Sequence, residues 1–570
     1  MSHQAPTATA EATTLRRCAL VIFAASCAAI ALGSLARFSG DLVWDDAFMF
    51  ARYADHLLAH GVVAWNPDGT PTYGLTSLGY LAFFLPFRLF VPQNAPLALV
   101  AASWAGGAVF LALLAALVAR HVDGGREKPP AGSKPAGGCQ RWPITAAVFL
   151  FLAFGITHLN QHFTSGMDTT LSMAWLSLYI LGAKWHERSP GLGRAVAVGV
   201  LGGLTYLVRP DLMLYAAAAP LALFLLAPGA RERKAAFVMG ATTLIVLGLE
   251  LAWARWYFGT AFPLPFYAKG ADLYGEGPRE FHRMVPIREL AVFAATYWLP
   301  LGLAALGVVA RWRRRPAVDL ALAAASALFV AYHLLWTLQI MGWAARFYYP
   351  AFPAIIFLAA QGAAWLVHRA GEGGWRLPRP AAWLATLLAL YALTPQVRAV
   401  AQEIQARRKQ GAFARFDLVG DFRRTWEGWW PRLDRFIGLP DGLAIAVTDV
   451  GRPGALARGK RVYDMAGLND AAFAFQRFSA ERFFQHCRPD VLYMPNFFYK
   501  DMNRQLRASE FFRERYELFT AKDLAAATGL PAVFDVALFR DSPHYAELRR
   551  ILLEPWAPPP GGMVRYGAEP

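Results

Sequence analysis

The chain has 570 residues, of which 56% are hydrophobic and only 17% charged, with a formal net charge of +16 and a mean hydropathy of +0.30. That balance excludes an ordinary soluble protein of this length and indicates a polytopic α-helical membrane protein. The excess positive charge fits contact with anionic membrane lipid and not with nucleic acid. The four cysteines, Cys18, Cys27, Cys139 and Cys487, make neither a disulfide framework nor a zinc spacing.

In chain order, about eleven apolar spans are expected, at 18–36, 95–119, 143–157, 167–183, 194–208, 211–227, 236–255, 290–309, 317–338, 348–367 and 380–394. Most approach the roughly 17 to 25 residues that a helix needs to cross a bilayer. The apolar stretch from Leu78 to Phe90 is short and contains Pro86, so it reads as an interfacial or re-entrant helix. Lys and Arg set the orientation. Arg16 and Arg17, the loop carrying Arg120, Arg126, Lys128, Lys134 and Arg141, the loop of Arg231, Arg233 and Lys234, and the run Arg311, Arg313, Arg314 and Arg315 all fall on one side, which is therefore cytoplasmic. Residues 37–75, 158–167, 209–211, 256–288 and 339–347 and the tail then lie outside.

The chain divides at 394. Residues 1–394 form the transmembrane part with its outer loop 37–75. Residues 395–570 carry the short apolar runs 442–451, 490–497 and 532–539, bounded by Gly, Pro and Asp and separated by helix-like stretches, which indicates a small extracytoplasmic α/β domain. Neither a dinucleotide fingerprint nor a phosphate-binding P-loop is present, and there is no internal repeat of the kind found in many transporters.

Chemistry concentrates on the outer side. Asp45 and Asp46 follow the first span and precede a helix-like run from Ala47 to His60. A helix N-terminus favours an ionised carboxylate, which can act as base, as metal ligand or simply as a cap. On the same side stand His158, His162 and Asp168, then Arg209 and Asp211, then Lys269, then Arg346. Cations at that depth are costly unless paired, and either a phosphate or local salt bridges would pair them. Two adjacent carboxylates near His56 or His60 could hold a divalent metal, although no dedicated metal spacing is present and the sequence names no certain cofactor. Trp44, Tyr73, Trp343, Tyr348 and Tyr349 could stack on a sugar, line a lipid groove or form an interfacial aromatic belt.

Seven segments in order, WDDAFMFARYA, NPDGTPTYGLTS, SGMDTTL, GLTYLVRPD, YFGTAFPLPFYAKG, ARFYYPAFP and VYDMAGLND, resemble the GT-C membrane glycosyltransferases that include AftB-like terminal arabinofuranosyltransferases and ZomB-like proteins. The resemblance implies a GT-C-like enzyme of the cytoplasmic membrane with its active site facing outward. It would move a sugar, arabinofuranose in the first instance, from a polyprenyl phosphate to a hydroxyl of an envelope glycan or other acceptor. It further implies an acidic residue of the first outer loop as catalytic, here Asp45 or Asp46. Arg209, Lys269 and Arg346 would then bind the donor phosphate, with Arg52, Tyr73, His162, Asp168, Asp211 and Tyr348 as substrate-binding candidates. Leu264 and Pro265, Leu78, and the GWAAR stretch before Phe347 depart from the family pattern and bear on which sugar and acceptor are used. A lipid-linked sugar transporter or flippase, or a non-enzymatic membrane regulator, are the competing classes.

Overall fold

The structure, a computed structural model, describes residues 6–36, 43–122, 138–154, 156–270, 277–314, 316–337, 339, 343–372, 379–409, 428–439, 442–529 and 532–555. The expectations for His158, Trp343, Cys139 and most of the 120–141 loop concern side chains outside that set.

The membrane part is helical: α1 (Pro6–Ala36), α2 (Ala47–His60), α3 (Leu78–Phe90), α4 (Ala95–His121), α5 (Gly138–Phe154), α6 (Ile156–Thr164), α7 (Thr169–Arg188), α8 (Leu192–Val208), α9 (Met213–Leu225), α10 (Ala230–Phe258), α11 (Leu264–Gly270), α12 (Gly277–Thr296), α13 (Trp298–Arg311), α14 (Ala317–Leu335), α15 (Phe352–Glu372) and α16 (Arg379–Lys409). Among the described residues five stretches are long and apolar enough to cross a membrane: Arg16–Leu35, Ala95–His121, Ala230–Phe258, Ala317–Leu335 and Tyr349–Arg369. A sixth arises if Met284–Thr296 and Trp298–Arg311 count as one span broken by 80°. Leu192–Val208 and Pro210–Leu225 are apolar helices shorter than that, so five to six spans meet the length criterion where the apolar runs led us to expect about eleven.

Close helix contact in this part relies on missing side chains. A Cβ on Gly307 of α13 would come 2.4 Å from the Leu358 carbonyl, and one on Gly362 of α15 would come 2.0 Å from the Leu303 carbonyl. Lipid gives no hydrophobic drive between helices, so this backbone approach supplies the packing.

The C-terminal part is a small mixed α/β domain. Its five strands are β1 (Ala444–Val447), β2 (Arg461–Asp464), β3 (Val491–Tyr493), β4 (Tyr516–Phe519) and β5 (Val536–Phe539), in the order β2-β1-β3-β5-β4. β1 runs parallel to β2 and β3, whereas β5 is antiparallel to β3 and β4. The apolar runs anticipated β1, β3 and β5; β2 and β4 are short and carry Arg461, Asp464 and Glu517, which hides them from a hydrophobic pattern.

The domain is built onto the outer loop. One hydrophobic core joins Val43, Phe48, Phe50 and Trp65 of the loop region to Ile445, Val462 and Val491 of the sheet. Polar bonds fix the register. The fully buried Arg52 donates to the carbonyls of Trp65 (2.5 Å), Gly454 (2.7 Å), Ala457 (2.8 Å) and Lys460 (2.8 Å). Trp65 Nε1 donates to the Val462 carbonyl at 2.8 Å, and Tyr53 donates to Asn469 at 3.0 Å. Charge-assisted bonds to carbonyls are strong when water is excluded, so this loop and the sheet behave as one unit.

Candidate active site

The two adjacent carboxylates of the first loop have separate duties. Asp46 sits at the N-cap position of α2 but makes no capping hydrogen bond. It turns instead to Arg346, whose Nη2 donates to Asp46 Oδ2 at 2.8 Å. Asp45 points the other way: its Oδ2 accepts the Gly451 amide (3.0 Å) and its Oδ1 the Arg452 amide (2.8 Å). Only glycine fits there, because a Cβ on Gly451 would stand 1.8 Å from the Asp45 carbonyl oxygen. Burial, opposed by the Arg452 amide bond and assisted by the charge of Asp46, pushes the Asp45 carboxyl up to about 6. Burial also pushes on Asp46, but the Arg346 guanidinium and Lys269 ammonium outweigh it and hold that carboxyl below its usual value.

Asp46 opens onto a cavity of about 310 Å³ that also collects Asp168, Arg209, Asp211, Lys269 and Arg346, with Met49, Phe50 and Phe347 among its apolar walls. Each side chain arrives at the end of an element. Asp168 is the N-cap of α7, Arg209 caps α8 in an extended conformation, and Asp211 lies in the one-turn helix Pro210–Leu212. Arg209 grips Asp211 through Nε (3.0 Å) and Nη2 (2.8 Å), and its Nη1 lies 3.6 Å from Asp168. His333 Nε2 lies 3.0 Å from Asp211 Oδ2, the oxygen that Arg209 Nη2 also reaches. Sequence reasoning missed His333, since a histidine inside an apolar span carries no signal of its own.

Lys269, on α11, is the cavity cation that makes no hydrogen bond or ion pair among the described residues. Burial pulls its ammonium down to about 8, with the Asp46 carboxylate opposing that pull.

Arg346 is aimed by strained backbone. Ala344 and Ala345 both have positive φ, 55° and 56°, a region that costs a non-glycine residue about 1–3 kcal/mol. The turn is held from two sides: Glu289 accepts the Ala345 amide at 2.8 Å, and His162 Nε2 lies 3.1 Å from the Ala344 carbonyl. His162 therefore serves this turn and does not line the cavity.

Four other named residues also lie elsewhere. Arg52 is committed to the domain junction described above. Tyr73 is buried, stacked on Phe258 at 4.6 Å, with its neighbour Gly74 on the cavity wall. Tyr348 donates to the Pro286 carbonyl at 2.9 Å and accepts from Gln339 at 3.1 Å inside the helical core. His56 places its ring nitrogens 3.0 Å from the Ala64 carbonyl and 3.2 Å from the Arg458 carbonyl, not towards Asp45 and Asp46. No group of three or more His, Cys, Asp or Glu that could hold a metal occurs among the described residues.

The assembled site is a mostly apolar cleft in which three carboxylates accompany three cations. Guanidinium forks and an ammonium can bind phosphate oxygens, and a carboxylate held ionised beside them can orient a hydroxyl. Phe266 and Trp336, both on the cavity wall, are also exposed, so the cleft opens laterally onto an apolar surface.

No protein-family model matches the chain, and no curated protein matches its sequence. Its structure is similar to the crystal structure of ArnT from Cupriavidus metallidurans bound to undecaprenyl phosphate, with a TM-score of 0.51 at 11% identity, covering 94% of this chain and 99% of that one. At that identity the likeness establishes the architecture alone: this is a multi-helix membrane protein with the ArnT fold and a C-terminal mixed α/β domain.

Proposed function

We propose that the protein is a membrane glycosyltransferase that transfers a sugar from a polyprenyl-phosphate donor to a hydroxyl acceptor. The observation that carries this is Lys269, which makes no hydrogen bond or ion pair among the described residues and shares its cavity with the Asp46–Arg346 pair, with an apolar lateral opening beside it. The fold shared with ArnT, whose solved structure holds undecaprenyl phosphate, supports a lipid phosphate as partner.

In this reading Lys269, Arg346 and Arg209 bind the phosphate of the donor. Arg346 can do so while still bound to Asp46, because a guanidinium offers five N–H donors. Their charge stabilises the phosphate as it leaves, and the polyprenyl tail passes out between Phe266 and Trp336. Asp46 keeps its charge beside the reacting carbon and orients the acceptor. Asp168 and Asp211 hold Arg209 in place. The finer expectations belong to the same proposal: about eleven spans in all, a site on the outer face of the cytoplasmic membrane, an envelope glycan as acceptor, and arabinofuranose as the first sugar to try.

The test is transfer from labelled polyprenyl-phosphate sugars by purified protein in lipid, with an envelope fraction from cells lacking the protein as acceptor. Label appearing in the glycan supports the reading. Label that crosses the bilayer unchanged on its lipid indicates a flippase, and neither result would leave a non-enzymatic regulator.

A further inference from the structure

The two guanidinium groups of the cavity reach it from different elements. Arg209 ends α8 and grips Asp211, while Arg346 stands ahead of α15 and donates to Asp46. Among the described residues no hydrogen bond or ion pair joins these two arrangements directly. His333, on the last turn of α14, lines the same cavity and touches both. On one side its Nε2 lies 3.0 Å from Asp211 Oδ2. On the other, its ring centroid lies 5.5 Å from that of Phe347, and the Arg346 guanidinium sits 5.0 Å from the centroid of the same Phe347 ring. A continuous chain of contacts therefore runs from Arg209 through Asp211, His333 and Phe347 to Arg346.

His333 is itself fixed. Its side chain is buried and packs against the rings of Phe329 (4.6 Å) and Tyr332 (5.2 Å). Its carbonyl accepts from Gln339 Nε2 at 2.9 Å, the same amide that donates to Tyr348. An ionised carboxylate gripped by a guanidinium can only accept, so Nε2 carries the ring hydrogen. Nδ1 is buried and has no hydrogen-bond partner among the described residues. With one nitrogen engaged and the other sealed off, His333 acts through its neighbours.

We propose that His333 is a positioning residue that sets the spacing of Arg209 and Arg346, so that both guanidinium groups meet one donor phosphate. This rests on the lipid-phosphate part of the proposed function. Asp211 takes up Arg209 Nε and Nη2 and leaves Nη1, which lies 3.6 Å from Asp168 and makes no hydrogen bond among the described residues. A carboxylate held by Arg209 alone would be free to pivot and carry that edge away from the cavity. The bond from His333 fixes its second direction. Binding by a planar fork depends on that angle, because its N–H donors reach phosphate oxygens only in register. On the far side, the Phe347 ring that packs on His333 gives the Arg346 cation a face to rest on. That holds the guanidinium in place while it shares its donors between Asp46 and the ligand.

The experiment measures undecaprenyl phosphate binding and the thermal midpoint of the purified full-length protein as wild type, His333→Phe, His333→Leu, His333→Gln, Arg209→Ala and the double variants of Arg209→Ala with each of the first two. His333→Phe keeps a ring beside Phe347 but loses the bond to Asp211, and should bind about tenfold more weakly. His333→Leu should lose at least as much, and it supplies the reading if the phenylalanine variant does not fold. His333→Gln, whose side-chain amide can replace the Nε2 donor, should regain part of the loss. A role exercised through Arg209 makes the losses non-additive, so in the Arg209→Ala background either substitution should cost no more than about twofold further. Wild-type affinity in His333→Phe and His333→Leu, or losses that simply add to that of Arg209→Ala, would overturn the positioning role and leave the proposed function standing. If the wild type itself binds no undecaprenyl phosphate, the lipid-phosphate reading fails and this role with it.

Discussion

Gly451 brings its backbone amide 3.0 Å from the carboxylate of Asp45, a residue 406 positions earlier in the chain. The contact has no room for a side chain, since a Cβ there would meet the Asp45 carbonyl at 1.8 Å. Gly451→Ala should therefore separate the domain from the loop, lowering the thermal midpoint by several degrees and abolishing transfer. Gly248→Ala in α10, where a Cβ meets nothing within 4 Å, should be neutral or slightly stabilising, since alanine is the better helix former. Equal midpoints for the two variants would remove the docking role.

The two loop carboxylates should separate in experiment. Asp46→Asn removes charge from the cavity but leaves the docking contact alone, so turnover should fall by about 100-fold with an unchanged midpoint. Asp45→Asn offers one acceptor to two amides and leaves one unmet, a cost of about 1–3 kcal/mol. Its effect should appear first as lost stability. Turnover at the wild-type rate in both single variants and in the double variant would strip the pair of any part in the reaction.

Undecaprenyl phosphate binding should weaken about tenfold or more for Lys269→Ala and Arg346→Ala, the scale of a charge-assisted bond of about 1.5–3 kcal/mol. Arg209→Ala should weaken it as well. Arg313→Ala, on the exposed one-turn helix Trp312–Arg314, should leave binding unchanged. The ammonium of Lys269 is depressed to about 8, so its charge is present below that value and lost above it. Wild-type binding should therefore decline between pH 7 and 9, and Lys269→Arg should flatten the decline. Identical affinity in all variants would reduce these residues to internal salt bridges.

Ala345→Gly should be tolerated and even gain stability, because glycine adopts positive φ without steric cost. A loss of activity in a stable Ala345→Gly protein would mean that the turn must be rigid to aim Arg346. Glu289→Gln, which weakens the acceptor for the Ala345 amide, should lower turnover with little change in acceptor KM. Wild-type kinetics in Glu289→Gln would mean that the turn holds without that carboxylate.

Cysteines introduced at Lys500 and Arg313, both exposed, report the sidedness. Impermeant maleimide should label Lys500→Cys in spheroplasts and Arg313→Cys only after permeabilisation. The reverse pattern would invert the topology.

Much of the site is legible in the chain because charge at a membrane surface is conspicuous: Asp46, Asp168, Arg209, Asp211, Lys269 and Arg346 all line the one cavity. Hydropathy and loop charge set the expected side of the membrane, and depth makes such residues stand out. What they do not give is direction. Asp45 and Asp46 are alike to any pattern, and only the path of β1 decides that the first docks a domain while the second faces the cavity. Arg52 and Tyr348 are polar groups that satisfy buried carbonyls, a use with no sequence signature. The 80° break between α12 and α13 is invisible to hydropathy because both halves are apolar and read as one span, and the glycine contacts of α13 with α15 depend on pairing that a single chain does not display.

The long separation between Asp45 and Gly451 also sets the order in which the molecule matures. The first outer loop leaves the ribosome hundreds of residues before the strand end that latches it, so the docking of the loop waits for the C-terminal domain. A chain interrupted before β1 would hold its helices yet lack the segment that latches Asp45.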